Sequence, residues 1–309
     1  MATVDILMAT YNGEKYIEEQ IDSIRSQTFS DWRLLISDDC SQDHTLEIIE
    51  KYTNTDKRIT VVSKGNRYGS AKSNFINLLS HAKAPYVMFS DQDDVWLTSK
   101  IKLTLEEMLE VEKINQKRPI LIFTDMKVVD IDENIIDSSF VRYENIKPSR
   151  TKLTQVVAQS VGAGCTMMVN RSLTDMMNTN FDINKIIMHD WWMTLIASAF
   201  GVVKYVPEQT SLYRQHGDNS VGAARYSIVN KIKTISSMYK NVENTTVQAE
   251  EFIKCYRELL SRDNLNKLSK YSTIIKEKGT AGIINLLQSG CFKSGLRLFG
   301  QIYVAAKGF

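Results

Sequence analysis

VDILMATYNGEKYIEEQIDSIRSQTFSDWRLLISDDC, residues 4–40, sets the reading of the whole chain. Val4–Ala9 is a short apolar run of strand character that ends in the polar stretch Thr10-Tyr11-Asn12-Gly13. A helix is predicted near Glu14–Gln27, where Tyr16, Ile17, Ile21 and Ile24 share one face. Arg33–Ser37 reads as the next strand and runs into Asp38-Asp39-Cys40-Ser41. Working outward, the alternation continues with a helix over Thr45–Tyr52, a strand over Thr60–Ser63 and a helix over Ser73–His81. Tyr86–Ser90 is then a strand, Ser99–Asn115 a helix and Ile120–Thr124 a strand. This rhythm predicts an α/β fold, a mainly parallel sheet with helices on both faces. Further on, Val161–Asn170 has a strand-like tail, His189–Phe200 reads as a helix and Val202–Val206 as a strand. Beyond Gly222 the pattern is helical, near 224–240, 245–277, 280–288 and 293–306. Two regions are therefore expected, 1–221 and a helical C-terminal extension over 222–309.

The 309 residues are 43% hydrophobic and 24% charged, enough apolar material for a sizeable core. Only 14 glycines and 4 prolines exclude a collagenous or low-complexity chain. The net charge of +2 hides an asymmetry: residues 222–309 carry 14 Lys+Arg against 6 Asp+Glu, and the first 221 residues are acidic. An acidic front argues against a nucleic-acid binder, whose basic residues should surround its chemistry. Cys40, Cys165, Cys255 and Cys291 form no CxxC pair and read as reduced thiols of a cytosolic protein. Met1-Ala2-Thr3-Val4-Asp5 shows no secretory signal, and no run is both apolar and long enough to span a bilayer.

In an open α/β sheet, ligands bind beyond the carboxyl ends of the strands. Here those ends bring Asp38, Asp39, Asp91, Asp93 and Asp94 to one rim. Clustered carboxylates repel until a proton or a cation neutralises them. Their hard oxygens suit Mg²⁺ or Mn²⁺, whose coordination substrate phosphates commonly complete. Asp93 and Asp94 also precede a helix and could cap it, which explains one acid but not three in four residues. No GxxxxGK[ST] loop, complete GxGxxG or HExxH is present, so P-loop, nicotinamide and zincin chemistry is disfavoured. Asp91-Gln92-Asp93-Asp94-Val95 satisfies the DxDx[TV] pattern of a haloacid dehalogenase-type phosphatase, but its prominent acidic pair lies upstream instead of downstream. A catalytically silent scaffold is a further alternative.

ATYNG (9–13), SDDCSQDHT (37–45) and SDQDDVW (90–96), in this order, resemble an inverting family 2 glycosyltransferase with the GT-A nucleotide-sugar fold. GAGCTMMVN (162–170), HDWW (189–192) and YRQHGDNSVG (213–222) are similar to its bacterial rhamnosyltransferase branch, which builds cell-wall polysaccharide such as streptococcal polyrhamnose. The resemblance covers about residues 3–222. It implies transfer of a sugar, L-rhamnose from dTDP-L-rhamnose or another UDP/dTDP-sugar, to a polyprenyl-diphosphate-linked saccharide. Thr10 and Tyr11 would line the pyrimidine pocket and Asp39 would bond the base imide, with Asn66, Lys72, Asn74, Asp91, Gln92 and Arg214 also on the donor. Asp93 would be the principal ligand of Mn²⁺ or Mg²⁺, with His216 and Asp94; Asp93 and Asp94 remain alternatives for the main contact. Asp190 matches the general base, although it also suits a helix N-cap, and His189 stands where the family often has Glu. Trp191, Trp192, Gly164 and Cys165 would meet the acceptor, although hydrophobic packing is the default for each tryptophan.

After Glu277 the chain has no acidic residue. At helical spacing Leu296, Phe299, Tyr303 and Ala306 fall on one face, with Lys293, Arg297 and Lys307 opposite. Such a helix suits an anionic membrane surface at the inner face of the plasma membrane, or a second subunit of a homo-oligomer.

Overall fold

The computed structural model describes residues 2–177, 180–216, 235–277 and 279–307. Nine strands form one sheet among them: β1 (Val4–Thr10), β2 (Trp32–Asp38), β3 (Ile59–Ser63), β4 (Tyr86–Ser90), β5 (Val95–Trp96), β6 (Ile120–Val129), β7 (Ile135–Asp137), β8 (Met167–Asn170) and β9 (Val202–Arg214). The helices are α1 (Ile17–Arg25), α2 (Thr45–Thr55), α3 (Ala71–His81), α4 (Lys100–Ile114), α5 (Phe140–Tyr143), α6 (Leu153–Val156), α7 (Arg171–Met176), α8 (His189–Phe200), α9 (Ile235–Tyr256), α10 (Arg262–Thr273), α11 (Thr280–Ser289) and α12 (Arg297–Lys307). The chain divides into two compact units. One holds residues 2–146, 162–175 and the strand after Gly201; the other holds 147–161, 176–201 and the C-terminal helices. The boundary expected near 221 lies outside the described residues.

In the first unit the strand order is β3-β2-β1-β4-β8-β6-β9-β5, with β7 on β6. β3, β2, β1 and β4 are mutually parallel, as are β6 and β9, while β8 inserts antiparallel between β4 and β6. The sheet is therefore mixed, with a parallel half that carries the expected site. Alternation along β1 sends Val4, Ile6 and Met8 to one face, where Ile17, Ile21 and Ile24 of α1 and Ile101, Leu105 and Met108 of α4 join the same core. Leu7 and its register partner Phe89 point the other way, and Phe75 of α3 meets Phe89 edge-on at 5.9 Å. Helices thus cover both faces. A buried Asp5 ties the sheet's lower edge: it accepts two bonds of 2.9 Å from Arg33 and further bonds from the amides of Lys83 and Ala84.

Two strands run beyond their sequence-read ends. β6 continues past Thr124, and β9 continues eight residues past Val206 despite Pro207. The register shows how the proline is absorbed: Phe123 faces Tyr205 and Asp125 faces Gln209, so Val206–Glu208 bulge where no ladder bond is needed. The helical stretch read over 245–277 is two helices, because Ser261 caps α10 by accepting from the Asn264 amide.

In the second unit α8 spans the residues expected of it. Trp192 is fully buried against Phe181, Phe252 and Tyr256, so it is a core residue and not an acceptor contact. His189, in the first turn of α8, is also buried, and burial holds its imidazole down to about 3. The unfolded imidazole takes up a proton near its ordinary 6.5 and the folded one does not. Its contribution to stability is thus fully present above about pH 6.5 and is lost as pH falls toward 3. Going from pH 7 to 5.5 should cost the wild type about 1 kcal/mol more unfolding free energy than His189→Leu. Urea denaturation of both proteins at the two pH values checks this, and equal pH dependence would refute it.

Candidate active site

The site begins with the zipper that joins the loops after β1 and β2. Thr10 Oγ1 donates to Asp38 Oδ1 (2.9 Å), and the Asp39 amide donates to the Thr10 carbonyl (2.9 Å). The Asn12 amide donates to Ser41 Oγ (2.9 Å), the Gly13 amide to Thr45 Oγ1 (2.7 Å) and the Glu14 amide to Asp43 Oδ2 (3.1 Å). Asp38 also accepts from the amide and the hydroxyl of Ser41. The polar residues of SDDCSQDHT are therefore spent on shaping two loops, and Asn12 and Cys40 sit in the left-handed backbone region at their apices (φ 47° and 63°). Strain of this kind at strand ends accompanies functional loops.

This zipper sorts the expected nucleotide contacts. Thr10 is buried with its hydroxyl committed to Asp38, so its side chain serves the zipper between the two loops. Tyr11 projects, 47% exposed. Gln92 clamps its backbone, accepting from the Tyr11 amide (2.9 Å) and donating to the Tyr11 carbonyl (3.0 Å); this is a holding role, not a ligand contact. The Asp39 carboxylate accepts from the amides of Tyr68 and Gly69 in the loop before α3. Asn74 is buried and donates to the Ser37 carbonyl (2.8 Å), bracing the end of β2. Asn66 is exposed and donates to Ser63 Oγ (3.2 Å), and Lys72 is half-buried at the start of α3.

The acidic element after β4 is organised in depth. Asp91 and Asp93 are half-buried, whereas Asp94 is 1% exposed. Apart from the weak thiol donor of Cys165, neither Asp94 oxygen finds a hydrogen-bond partner among the described residues. Burial, then repulsion by Asp91 and Asp93, pushes the Asp94 carboxyl well above the usual range. Lys100 from α4 is wholly buried nearby, donating to Thr210 Oγ1 (3.1 Å), and burial lowers its ammonium to about 8. Donor atoms of Asp91, Asp94 and Cys165 lie within 4.8 Å of one another. Cys165, expected at the acceptor with Gly164, is buried with it, and its thiol is pushed upward by burial and by these acids. The hard carboxylate oxygens of Asp91 and Asp94 fit a divalent cation; a neutral thiol is a poor ligand for a hard one.

Past β9 the chain returns to this corner. His216 Nε2 lies 2.9 Å from Asp93 Oδ2 and its ring stacks on Tyr16 at 4.7 Å. Arg214, expected to face a diphosphate, is buried and tied to Glu19 (2.5 Å), Glu133 (3.0 Å) and the Ile131 carbonyl (3.1 Å). Its donors are committed to these groups, and its guanidinium lies over the Tyr16 ring on which His216 stacks. Glu19 and Glu133 carry no signal in the sequence beyond the proximity that folding creates, and Tyr16 reads there only as part of a helix face. The rest of the 213–222 motif lies outside the described residues.

In the second unit Asp190 stands in the first turn of α8, with Met188 as the capping position, so Asp190 is not the N-cap. Its Oδ1 accepts from the Trp191 amide (2.6 Å). Trp191 is half-buried and donates its indole N–H to the Val156 carbonyl (2.7 Å).

The glycosyl transferase family 2 model matches residues 5–175. A dTDP-rhamnosyl transferase, RfbG of Shigella flexneri, is 32% identical over 70% of this chain and 74% of its own. A UDP-Glc:alpha-D-GlcNAc-diphosphoundecaprenol beta-1,3-glucosyltransferase of Escherichia coli is 28% identical over 55% of this chain and 61% of its own. Among solved structures, Staphylococcus aureus TarS (residues 1–349) in complex with UDP superposes with a TM-score of 0.57 at 17% identity, over 87% of this chain and 70% of that one.

A Cβ on Gly13 would lie 2.4 Å from Gln92 Oε1, at the movable end of that side chain. Gly13→Ala should therefore displace Gln92 and unclamp Tyr11 at little cost to folding. Hydrogen exchange of the Tyr11 amide should accelerate by about tenfold in Gly13→Ala and Gln92→Ala alike, from loss of its hydrogen bond to Gln92. Unchanged exchange in both would contradict the clamp.

Proposed function

Because this chain belongs to glycosyl transferase family 2, we propose that it transfers L-rhamnose, with inversion, from dTDP-L-rhamnose to a saccharide hydroxyl on a polyprenyl-diphosphate carrier. The observation that carries the reading is the convergence of Tyr11, Asp39, Asp91 and the Asp93–His216 pair on the carboxyl edge of β1, β2, β4 and β9. The donor sugar is favoured by the 32%-identical dTDP-rhamnosyl transferase, and the carrier by the diphosphoundecaprenol relative. A UDP-sugar donor is the second reading, favoured by that same relative and by the UDP complex of TarS. The polyprenyl carrier would place the enzyme at the inner face of the plasma membrane.

In this reading Tyr11 stacks on a pyrimidine whose N3–H donates to Asp39; uracil and thymine carry that donor and cytosine does not. Asp93, His216 and Asp94 would hold Mn²⁺ or Mg²⁺, with Asp91 at the half-buried rim toward the donor. When bound, the cation neutralises charge on the leaving nucleoside diphosphate. Arg214, fixed by Glu19 and Glu133, positions His216. Asp190 takes the proton of the attacking hydroxyl as the oxygen approaches the anomeric carbon from the face opposite the diphosphate.

Asp93→Asn should weaken dTDP binding in Mn²⁺ by at least about tenfold and leave the much weaker metal-free binding unchanged, since one charged contact is lost. Titration calorimetry with and without Mn²⁺ checks this, and equal affinities in the two proteins would remove Asp93 from the metal site. Asp190→Asn should bind dTDP as the wild type does while turnover falls by about a thousandfold, the scale of a lost general base. Near wild-type turnover would withdraw the base from Asp190.

A further inference from the structure

Along α1 the residues that turn inward at helical spacing include Ile17, Gln20, Ile21 and Ile24, all wholly buried. The three isoleucines fill apolar positions. An amide among them costs stability unless its donor and its acceptor are both bonded. Gln20 meets that condition through two serines. Its Nε2 donates to Ser90 Oγ (2.7 Å) at the end of β4, and its Oε1 accepts from Ser23 Oγ (2.9 Å), one turn further along α1. Each serine passes the connection on to backbone. Ser90 Oγ donates to the Asp91 carbonyl (3.1 Å), and Ser23 Oγ accepts from the Trp96 amide (3.0 Å). Four hydrogen bonds, all running in one donor direction, thus lead from Trp96 through Ser23, Gln20 and Ser90 to Asp91. They fasten the start of the acidic stretch, at Asp91, and the short strand that follows it, at Trp96, to a single helix.

Repulsion among Asp91, Asp93 and Asp94 favours a spread loop. Tying both ends of that loop to α1 opposes the spread. Side chains carried on a helix hold a site more closely than those of a loop, and a hard divalent cation such as Mg²⁺ demands near-ideal ligand geometry. We propose that Gln20 is a positioning residue for the divalent cation and for the nucleoside diphosphate bound to it, holding the Asp91–Asp94 loop against α1 in the cation-free protein. The inference rests on the metal-dependent transferase reading given above and adds a residue that acts through the loop and not by contact. Glutamine suits the position because it accepts at one end and donates at the other. Glutamate lacks the donor and methionine lacks both.

Gln20→Met keeps the volume and removes both bonds. Ser23 then retains the carbonyl of residue 20 (2.7 Å) and the Trp96 amide, and Ser90 retains the Asp91 carbonyl, so no buried hydroxyl is orphaned. The fold should persist, with a thermal midpoint lowered by about 5 °C at most. Titration calorimetry of the full-length protein with dTDP, with and without Mn²⁺, reads the effect. The gain in affinity that Mn²⁺ brings should fall by about tenfold, the usual scale when a bond orienting a metal ligand is lost, while metal-free affinity stays within about twofold. Ser90→Ala should lower the gain similarly, and the double variant by no more than the larger single effect, because both cut one chain. Ser90→Ala also tests the link if Gln20→Met does not fold. A gain unchanged in both single variants, or equal losses with and without Mn²⁺, would overturn the proposal. Asp93→Asn in the same titrations separates the two readings. If that variant loses the gain and Gln20→Met keeps it, the positioning role alone falls. If the wild type shows no gain, the cation reading falls and the role of Gln20 with it.

Discussion

Three carboxylates in four residues, Asp91, Asp93 and Asp94, repel one another at the end of a parallel strand, and much of the first unit is arranged around that repulsion. Each acid receives a different environment. Asp94 goes inward, where the buried Lys100 supplies opposing charge without a direct bond. Asp93 meets His216, and Asp91 stays at the half-exposed rim. The Lys100 ammonium, held by Thr210, offsets part of the repulsion that raises the Asp94 carboxyl. The acidic motif is therefore in order only when α4 and the end of β9, 100 and more residues apart in sequence, are both in place.

The same dependence explains why Arg214 is so heavily bonded. A guanidinium shared by two carboxylates and two carbonyls has few degrees of freedom left, and its stacking over Tyr16 at 5.2 Å fixes the ring on which His216 rests. Glu19 shows the strain of this arrangement: burial and the neighbouring Glu133 raise its carboxyl above the ordinary value, against the pull of Arg214. A free phosphate-binding arginine needs open donors. This one trades them for rigidity, and the corner gains a histidine with a defined position.

Legibility in the sequence followed the range of the interactions. β1, β2 and β4 are continuous apolar runs closed by polar turns, and the acids at their ends followed from topology alone. Pro207 hid the second half of β9, because a proline ordinarily ends a central strand; only the register with β6 reveals the bulge that admits it. The break before α10 carries no glycine or proline, just Arg257-Glu258-Leu259-Leu260-Ser261, which periodicity reads straight through. Within the site, Asp39, Asp93 and His216 could be singled out by residue type and motif. The true duties of Gln92 and Arg214 could not, since their partners lie 81 to 195 positions away. Trp192 fails differently: an indole that stacks on a sugar and one that fills a core are the same residue, and burial alone separates them.

Asp39 shows what the two kinds of support mean for binding. Its backbone is locked by the zipper, but its carboxylate is occupied by amides of Tyr68 and Gly69, at a glycine with φ 75° that needs no particular side chain. A base imide that claims the carboxylate must share it with those amides or displace them. Each is a charge-assisted bond of roughly 1.5–3 kcal/mol, comparable to the bond the imide would form. Exchange of this kind is nearly neutral in energy, so in the proposed reading the imide would contribute selection among bases more than affinity. In the proposed reading, affinity would then come from the face of Tyr11, held by Gln92, and from a divalent cation at the Asp93–His216 corner.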